Sequence, residues 1–259
     1  MNKTALITGA SNGIGLELAK IHASNGDNLV LVARNELKLN ELKNELETKH
    51  KINVYIIVKD LSEQNSALDV YNETSQKNIQ IDYLINNAGF GDYGMFVNTD
   101  WYKELKMINL NITTLTQFTK LYLQDMVKRR SGKIMNVAST ASFQSGPTMA
   151  VYCATKAYVL SFSEAISNEV SDKGVTVTTL CPGPTESGFQ IVASMEESEL
   201  VKGKKIPTAK EVAEYGYLSM LKGKTVAIHG IKNYILANSV RFFPRALIVS
   251  ITRKMFDKA

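Results

Sequence analysis

Lys3–Thr8 is Lys-Thr-Ala-Leu-Ile-Thr, and it runs without a break into Gly-Ala-Ser-Asn-Gly-Ile-Gly at residues 9–15. The apolar segment predicts a short buried strand, the glycines a tight turn, and the following Leu-Glu-Leu-Ala-Lys-Ile-His-Ala a helix. Glycine lets a backbone approach a pyrophosphate closely, and unpaired N–H groups at the start of a helix favour its charge. We therefore expect a bound dinucleotide, although the spacing differs from Gly-x-Gly-x-x-Gly and an ordinary glycine-rich turn is the alternative. The predicted contacts are Gly9, Ser11, Asn12, Gly13, Ile14 and Gly15.

Three further strand patterns also end abruptly in polar or small residues. Asn28–Ala33 ends before Arg34, Asn-Val-Tyr-Ile-Ile-Val-Lys ends at residues 60–61, and Asp-Tyr-Leu-Ile ends at residues 86–89. In an open parallel sheet, ligands bind beyond the carboxyl ends of the strands, where all these endings lie. Strands alternating with helices over 259 residues (28.7 kDa) predict an α/β fold, a Rossmann-type doubly wound parallel sheet in a single domain, 1–259.

The end of the second strand bears on the choice of dinucleotide. It is Ala33-Arg34, without the carboxylate that would bind an adenosine ribose 2′-hydroxyl. Arginine presents a planar cationic fork to a 2′-phosphate, so Arg34 favours NADP over NAD. A solvated loop arginine is the competing interpretation.

A second group of residues indicates the chemistry. Tyr152 and Lys156 lie one helical turn apart, and Tyr152 follows Ser139 by thirteen residues. Hydride transfer to a carbonyl leaves an alkoxide that must gain a proton, which a tyrosine with a pKa of ~10 supplies if its phenolate is stabilised. An ammonium four residues on shares the helical face, so we expect Lys156 to lower the pKa of Tyr152. Ser139 is expected to hydrogen-bond the substrate oxygen.

The Tyr–Lys spacing alone is weak, because it occurs three times in this chain. Tyr55 and Lys59 fall in a predicted strand, and Tyr102 with Lys106 has no suitable serine before it. Tyr152 follows a buried-strand pattern that ends in serine, Lys-Ile-Met-Asn-Val-Ala-Ser, and it opens a long helical pattern. The sequence context therefore favours Tyr152.

Composition narrows the class of protein. Cys153 and Cys181 are too few for a disulfide framework, and no signal-peptide core precedes the glycine turn, so we expect reduced thiols in a cytoplasmic protein. The net charge of +5 is spread along the chain, and its basic runs lack interleaved aromatic residues, which argues against nucleic acid. His22, His50 and His229 lack the spacing of metal ligands, so no metal is expected.

Taken in order, these motifs closely resemble the short-chain dehydrogenase/reductase family in its compact single-domain form, over about residues 3–230. The family's motifs include Asn-Asn-Ala-Gly at 86–89 and Pro-Gly-Pro-Thr at 182–185. By this resemblance the adenine contacts Asp60 and Leu61, the segment 182–185 borders the nicotinamide, and Lys156 also holds the nicotinamide ribose. The contacts implied by the resemblance are Asp60, Leu61, Asn87, Ala88, Gly89, Tyr152, Lys156, Pro182, Gly183 and Thr185.

The family's fourth catalytic residue is an asparagine that holds a water against the lysine, and two candidates occur in Met-Ile-Asn-Leu-Asn-Ile-Thr-Thr. The 28-residue distance from Asn111 to Ser139 matches the family, whereas Asn109 would require a two-residue insertion. The resemblance therefore favours Asn111. The alternative is that both asparagines only satisfy helix or turn hydrogen bonds.

Two segments depart from the compact family pattern. Residues 186–207 mix apolar and charged residues, and we expect them to form a lid over the substrate. Residues 232–259 form a tail whose apolar runs are far below the ~20 residues that span a bilayer. A helical extension packed on the domain or on a partner subunit is expected, with peripheral membrane contact as the alternative. The apolar face of this tail carries Leu247, Ile248, Ile251 and Met255.

Together the sequence predicts an NADP(H)-dependent oxidoreductase that interconverts a carbonyl and an alcohol on a small or medium-sized apolar substrate, with reduction favoured. Tyr152 donates the proton, Lys156 lowers its pKa, Ser139 orients the carbonyl, and Asn111 connects a proton relay to solvent. A homo-oligomer, such as a homodimer, is also expected. The competing class is a regulator that binds NADP(H) without turnover, against which the complete catalytic set argues. Extended sugar epimerases or dehydratases come last, because they commonly carry a larger C-terminal substrate region.

Overall fold

A computed structural model describes residues 2–187 and 206–256, and in these residues the chain forms one sheet of seven parallel strands. Along the sheet the strands follow the order 3-2-1-4-5-6-7. This is the doubly wound, Rossmann-type order, and it confirms the predicted fold class. The strands are β1 (Thr4–Thr8), β2 (Asn28–Ala33), β3 (Val54–Val58), β4 (Tyr83–Asn86), β5 (Gly132–Val137), β6 (Val175–Cys181) and β7 (Val226–Ile228).

Helices cover both faces of the sheet. The bounds of the described helices are α1 (Gly13–Ser24), α2 (Glu36–His50), α3 (Ser66–Gln76), α4 (Trp101–Ile108), α5 (Leu115–Lys128), α6 (Ala150–Glu169), α7 (Ala209–Leu221), α8 (Ile231–Ser239) and α9 (Arg245–Phe256). A π-helical segment at Asn109–Thr114 joins α4 to α5, and short 3-10 turns occupy Phe96–Asn98, Thr140–Phe143 and Val240–Phe242.

Alternate residues of the central strand β1 face the two helical layers. Leu6 packs in the core beneath α3, α5 and α6, whereas Ala5 and Ile7 pack in the core beneath α1, α2 and α7. All five residues of β1 are buried, as a parallel strand covered on both sides requires. Because the chain reverses its direction of travel across the sheet between β1 and β4, a crevice opens at the carboxyl ends of these strands.

Buried amides tie the neighbouring strands β4 and β5 together near this crevice. The Asn86 Nδ2 donates to the Asn136 Oδ1 at 2.9 Å and to the Thr119 Oγ1 at 3.1 Å, and the Asn136 Nδ2 donates to the Ser163 Oγ at 2.9 Å. Buried amides cost free energy unless they are hydrogen-bonded, so this chain of contacts fixes the strands against α5 and α6.

The tail predicted at 232–259 contains α8 and α9, and we call residues 231–256 the C-terminal arm. Most of the predicted lid, 186–207, lies outside the described residues, although its two ends are joined where the Glu186 N–H donates to the Pro207 carbonyl at 2.8 Å. No helix within the described ranges is both long and apolar enough to cross a membrane.

Candidate active site

A cavity of about 700 Å³ lies at the carboxyl ends of the strands. Every residue that the sequence assigns to cofactor or catalysis lines this cavity, with the exceptions of Gly15 and Asn111. It extends from Arg34 after β2 to Tyr152 on α6, and from there to α9 of the C-terminal arm. One cavity therefore joins the predicted cofactor contacts, the predicted catalytic residues and the tail.

The glycine turn between β1 and α1 is shaped by backbone constraints. Gly9 and Gly13 have φ values of 67° and 54°, a region that favours glycine. A Cβ on Gly15 would stand 2.4 Å from both the Gly9 carbonyl oxygen and the Asn87 Nδ2. Gly15 thus supports the turn from outside the cavity, while the start of α1 presents its first-turn amides where an anion can bind.

The side chain of Asn87 holds this turn against the end of β4. Its Nδ2 donates to the Thr8 carbonyl at 2.9 Å, and the Thr8 Oγ1 accepts from the backbone N–H groups of Asn87 at 3.0 Å and Ala88 at 2.9 Å. These contacts fix the ends of β1 and β4 beside each other. The Asn-Asn-Ala-Gly motif is therefore a structural support for the glycine turn.

The far end of the cavity carries a charged pair. The side chain of Arg34 is 76% exposed, and its Nη1 lies 3.9 Å from the Asp60 Oδ2. The other oxygen of Asp60 accepts from the backbone N–H of Ser62 at 2.9 Å and from its hydroxyl at 2.7 Å. Desolvation raises the pKa of Asp60, but the two hydrogen bonds from Ser62, together with the positive charges of Arg34 and Lys106, bring this pKa below its ordinary value. Among the described residues this long contact is the one ion pair of Arg34, so its guanidinium can turn towards an anion.

Ser139, Tyr152 and Lys156 meet at the other end of the cavity. Ser139 begins the 3-10 turn after β5, where its Oγ accepts from the Ala141 N–H at 3.1 Å, and its side chain also hydrogen-bonds Tyr152. Lys156 is buried, and its Nζ donates to the Val137 carbonyl at 2.8 Å. The Nζ lies 5.9 Å from the centre of the Tyr152 ring, so the predicted helical spacing brings the pair to one wall.

The electrostatics of this pair differ from the sequence expectation. Burial raises the pKa of Tyr152 above its ordinary value of 10, and the hydrogen bond with Ser139 only partly offsets that effect. Burial also lowers the pKa of Lys156 to about 8. The net pKa of Tyr152 is therefore raised, because desolvation is the largest effect, and the lowering of this pKa by Lys156 stays a prediction.

Asn111 lies behind this wall, in the π-helical segment between α4 and α5. Its Nδ2 donates to the Phe90 carbonyl and to the Thr155 Oγ1, both at 3.0 Å. A Cβ added to Gly89 would lie 3.0 Å from the Asn111 Oδ1 and 3.3 Å from the Lys156 Nζ, so both atoms border the same point. Local π-helical turns are frequent at functional sites, and this one brings Asn111 next to Lys156.

The substrate side of the cavity contains residues that the sequence did not assign to it. Phe90 and Met149 line it, as does Phe256 of the C-terminal arm, which packs in one apolar cluster with Tyr152. The apolar helical face of the tail was the sequence feature that could have predicted a role for the arm in the cavity, because this face turns towards it. The members of that face, Leu247, Ile248, Ile251 and Met255, all line the cavity.

The segment after β6 closes the cavity beside the start of the arm. A Cβ on Gly183 would stand 2.5 Å from the Asn233 Nδ2, which donates to the His229 carbonyl at 2.8 Å. The Thr185 Oγ1 donates to the Gly183 carbonyl at 2.9 Å. The tight fit of Gly183 under α8 explains why a glycine stands between two prolines here.

No group of three or more metal-binding side chains occurs in the described part of the chain.

Comparisons with known proteins identify the family to which this chain is similar. A family model described as short chain dehydrogenase matches residues 3–198. The very-long-chain 3-oxoacyl-CoA reductase-B of Danio rerio is 32% identical over 195 residues, which cover 70% of this chain and 59% of that protein. The chain thus spans about three fifths of the length of the first curated relatives that it matches.

Two solved structures share the fold over nearly the whole chain. A short-chain dehydrogenase from Sphingobium yanoikuyae in complex with NADPH is 29% identical, with a TM-score of 0.83 and coverage of 93% of this chain and 94% of that one. The bulky-bulky ketone specific alcohol dehydrogenase from Comamonas testosteroni is 28% identical, with a TM-score of 0.79 and coverage of 93% and 92%.

Proposed function

Because this chain belongs to the short-chain dehydrogenase family, we propose that it is an NADP(H)-dependent oxidoreductase that interconverts a carbonyl and an alcohol. The observation that carries the proposal is the meeting of Ser139, Tyr152 and Lys156 on the wall of the cavity that begins at Arg34. A nicotinamide cofactor is the family's hydride carrier. When bound, the reduced nicotinamide supplies a hydride to the carbonyl carbon.

The residues along the cavity fit NADP(H). The first turn of α1 offers N–H groups to the pyrophosphate, and the exposed Arg34 offers a cationic fork to the 2′-phosphate. The Asp60 oxygen that faces Arg34 lies 3.9 Å away, which is longer than a hydrogen bond, so a 2′-phosphate can replace this contact. The relative from Sphingobium yanoikuyae, which binds NADPH, supports the same choice.

Tyr152 donates the proton that completes carbonyl reduction. Its raised pKa keeps the phenol protonated near neutral pH, which is the form that reduction requires. Ser139 hydrogen-bonds the substrate oxygen and holds it beside the phenol. Alcohol oxidation would instead require the phenolate, so these contacts favour reduction.

Lys156 and Asn111 return a proton to Tyr152 from solvent. A Lys156 pKa of about 8 lets the amine gain and release protons near neutral pH. The Asn111 Oδ1 borders the same point as the Lys156 Nζ, where it orients the relay. This division makes Tyr152 the donor and Lys156 its source of protons.

The substrate is a carbonyl compound with a bulky apolar part. Aromatic and aliphatic side chains from Phe90, Met149 and α9 form the wall that faces Tyr152. The names of two relatives, an oxoacyl-CoA reductase and a bulky-bulky ketone specific dehydrogenase, point to the same class of substrate. An apolar wall of this kind selects by volume and shape more than by hydrogen bonding.

A panel of bulky ketones and oxoacyl thioesters tests the proposal, with NADPH oxidation as the readout and NADH as the cofactor control. The wild type should turn over at least one substrate, and Tyr152→Phe should lower kcat by about 1,000-fold while NADPH still binds. Tyr158→Phe is the matched control, because Tyr158 lies on the same helix with its hydroxyl bonded to Thr116. Wild-type turnover by Tyr152→Phe would refute the assigned donor. Tight NADPH binding without turnover of any substrate would favour a regulator.

A further inference from the structure

The C-terminal arm exposes an unusual amount of apolar surface on the side away from the cavity. Phe242 is 83% exposed and Ile231 is 78% exposed, and neither lines the cavity. Tyr234 and Ile235 on α8 are also more than half exposed. Ile231, Tyr234 and Ile235 occupy positions i, i+3 and i+4 of α8, so they form one exposed apolar stripe, and exposed apolar patches mark interaction sites in soluble proteins.

The charges on the arm have one sign. Residues 231–256 include five cationic side chains and no aspartate or glutamate. All five cations are exposed, and Lys232 and Arg241 directly follow Ile231 and precede Phe242, respectively, in the sequence. These cations are Lys232, Arg241, Arg245, Arg253 and Lys254.

The other side of the arm is held by the domain. Ala237 on α8 and Thr252 and Phe256 on α9 are buried, and Phe256 packs in the cluster that contains Tyr152. The arm is therefore anchored through one face, while its apolar and cationic residues remain at the surface. Packing of the arm on the domain does not explain why its outward face is apolar and cationic.

We propose that the outward face of the C-terminal arm docks on an anionic lipid membrane. Apolar side chains flanked by lysine and arginine suit the interface between headgroups and acyl chains, where the cations contact anionic headgroups. A second copy of the chain fits less well, because a twofold contact would place the same cations on both sides. With nine and twelve residues, α8 and α9 extend for only about 14 and 18 Å, so the contact lies on the membrane surface.

Co-sedimentation with lipid vesicles tests the docking and needs no turnover, so it is independent of the proposed carbonyl chemistry. The full chain should bind phosphatidylcholine vesicles that contain about one third phosphatidylglycerol at least tenfold more tightly than pure phosphatidylcholine vesicles. Added salt should weaken this binding, because the contact is electrostatic in part.

Two variants of the arm separate its charge from its apolar surface. Arg241→Glu with Arg245→Glu should lower the affinity for anionic vesicles by more than about tenfold. Phe242→Ser with Ile235→Ser should also lower it, by about tenfold, because less apolar surface enters the interface.

The controls make matched changes elsewhere on the surface. Lys49→Glu with Lys128→Glu makes the same change in charge on exposed side chains of α2 and α5, and Phe96→Ser removes an exposed aromatic ring. These controls should retain wild-type binding to anionic vesicles, and circular dichroism should show all variants folded.

Three results would overturn the docking proposal. They are equal binding to neutral and anionic vesicles, equal loss in arm and control variants, and no vesicle binding by the wild type. Sedimentation velocity distinguishes the remaining occupant: a wild-type oligomer that dissociates only in the arm variants, with no vesicle binding, would make this face a contact between copies of the chain.

Discussion

The carboxyl edge of the sheet and the C-terminal arm border the same cavity, yet they restrict it by different means. At the edge, backbone geometry sets the shape, since Gly9 and Gly13 adopt positive φ and Gly15 leaves no room for a side chain. On the arm, apolar side chains such as Ile251 and Met255 form the wall while remaining partly exposed. A substitution at one of these edge glycines should therefore disturb the whole site, whereas one on the arm should change affinity for substrate by degrees.

This difference explains why the two regions differ in how well a sequence reveals them. A phosphate-binding turn requires glycine at fixed positions next to a helix start, so few residue types satisfy it. An apolar wall accepts many combinations of side chains with a similar total volume. The cofactor class can therefore be inferred from residues, whereas the substrate cannot be named from them.

Among the substitutions that compare the edge with the arm, Gly15→Ala should have the largest effect. Its Cβ would stand 2.4 Å from the Gly9 carbonyl oxygen, so the turn must move. We expect NADPH affinity to fall by about 100-fold, because the displaced backbone no longer fits the pyrophosphate. The free energy of unfolding should fall by about 3 kcal/mol, measured by urea denaturation.

Gly26→Ala is the control for Gly15→Ala. Gly26 has a φ of 79°, and a Cβ there would meet nothing within 4 Å. This variant should lose about 1–2 kcal/mol from backbone strain and keep its NADPH affinity. NADPH affinity at the wild-type level in Gly15→Ala would contradict the account of the edge.

Lys156 lies on the cavity wall where the edge and the arm meet. Its burial can be tested through the pH dependence of the free energy of unfolding. Its pKa falls from 10.5 to about 8 on folding, so the unfolded chain binds more protons between these values. The free energy of unfolding of the wild type should thus rise with pH relative to Lys156→Met. From pH 8 to pH 10.5 the free energy of unfolding should rise by about 3 kcal/mol relative to the variant. This added stability is fully present above pH 10.5 and is lost as the pH falls to the folded pKa of about 8. An unchanged difference across this range would show that Lys156 keeps its ordinary pKa.

Arg34→Ala sharpens the comparison at the opposite end of the edge. Removing the guanidinium should weaken NADPH binding by about 10- to 100-fold, since a charge-assisted contact to the 2′-phosphate is lost. NADH lacks that phosphate, so its affinity should not change. Fluorescence titration of both cofactors measures this, and equal losses would show that Arg34 does not recognise the phosphate.

Ile251→Ala on the arm should have the smallest effect. The substitution shortens a side chain that lines the cavity, so it removes apolar contact with the substrate. The KM for a bulky ketone should therefore rise by about 3- to 10-fold with kcat nearly unchanged. Val249→Ala is the matched control, because Val249 lies on the same helix, is similarly exposed and does not line the cavity. If Ile251→Ala instead weakened NADPH binding as much as Gly15→Ala does, the distinction between the two regions would be wrong.

The fold could be predicted from the sequence because each apolar strand pattern stops at a glycine, polar or charged residue that marks its carboxyl end. The strand predicted at residues 3–8 is Thr4–Thr8, and the one predicted at 28–33 has those bounds. The alternation of strands with helices correctly predicted a doubly wound parallel sheet, whereas the order of its strands comes from the structure. Predictions of a cytoplasmic location and of a homo-oligomer stay predictions.

The rest depended on distances and burial that a sequence does not contain. The spacing placed Tyr152 and Lys156 on one helix, but the direction of the Tyr152 pKa followed from burial, which the helical pattern alone does not give. The resemblance favoured Asn111, but only the π-helical segment explains how it comes to lie beside Lys156. The apolar face of the tail was visible, yet nothing in it indicated that Phe256 would pack in the cluster around Tyr152.

Transfer of deuterium from NADPH labelled at the reactive C4 position of its nicotinamide tests the central claim most directly. Wild-type protein, incubated with the bulky ketones that its apolar wall suits, should yield an alcohol with deuterium on the carbinol carbon. Tight NADPH binding with no deuterium in any product would contradict the account, because the cavity would then hold the cofactor without transferring its hydride.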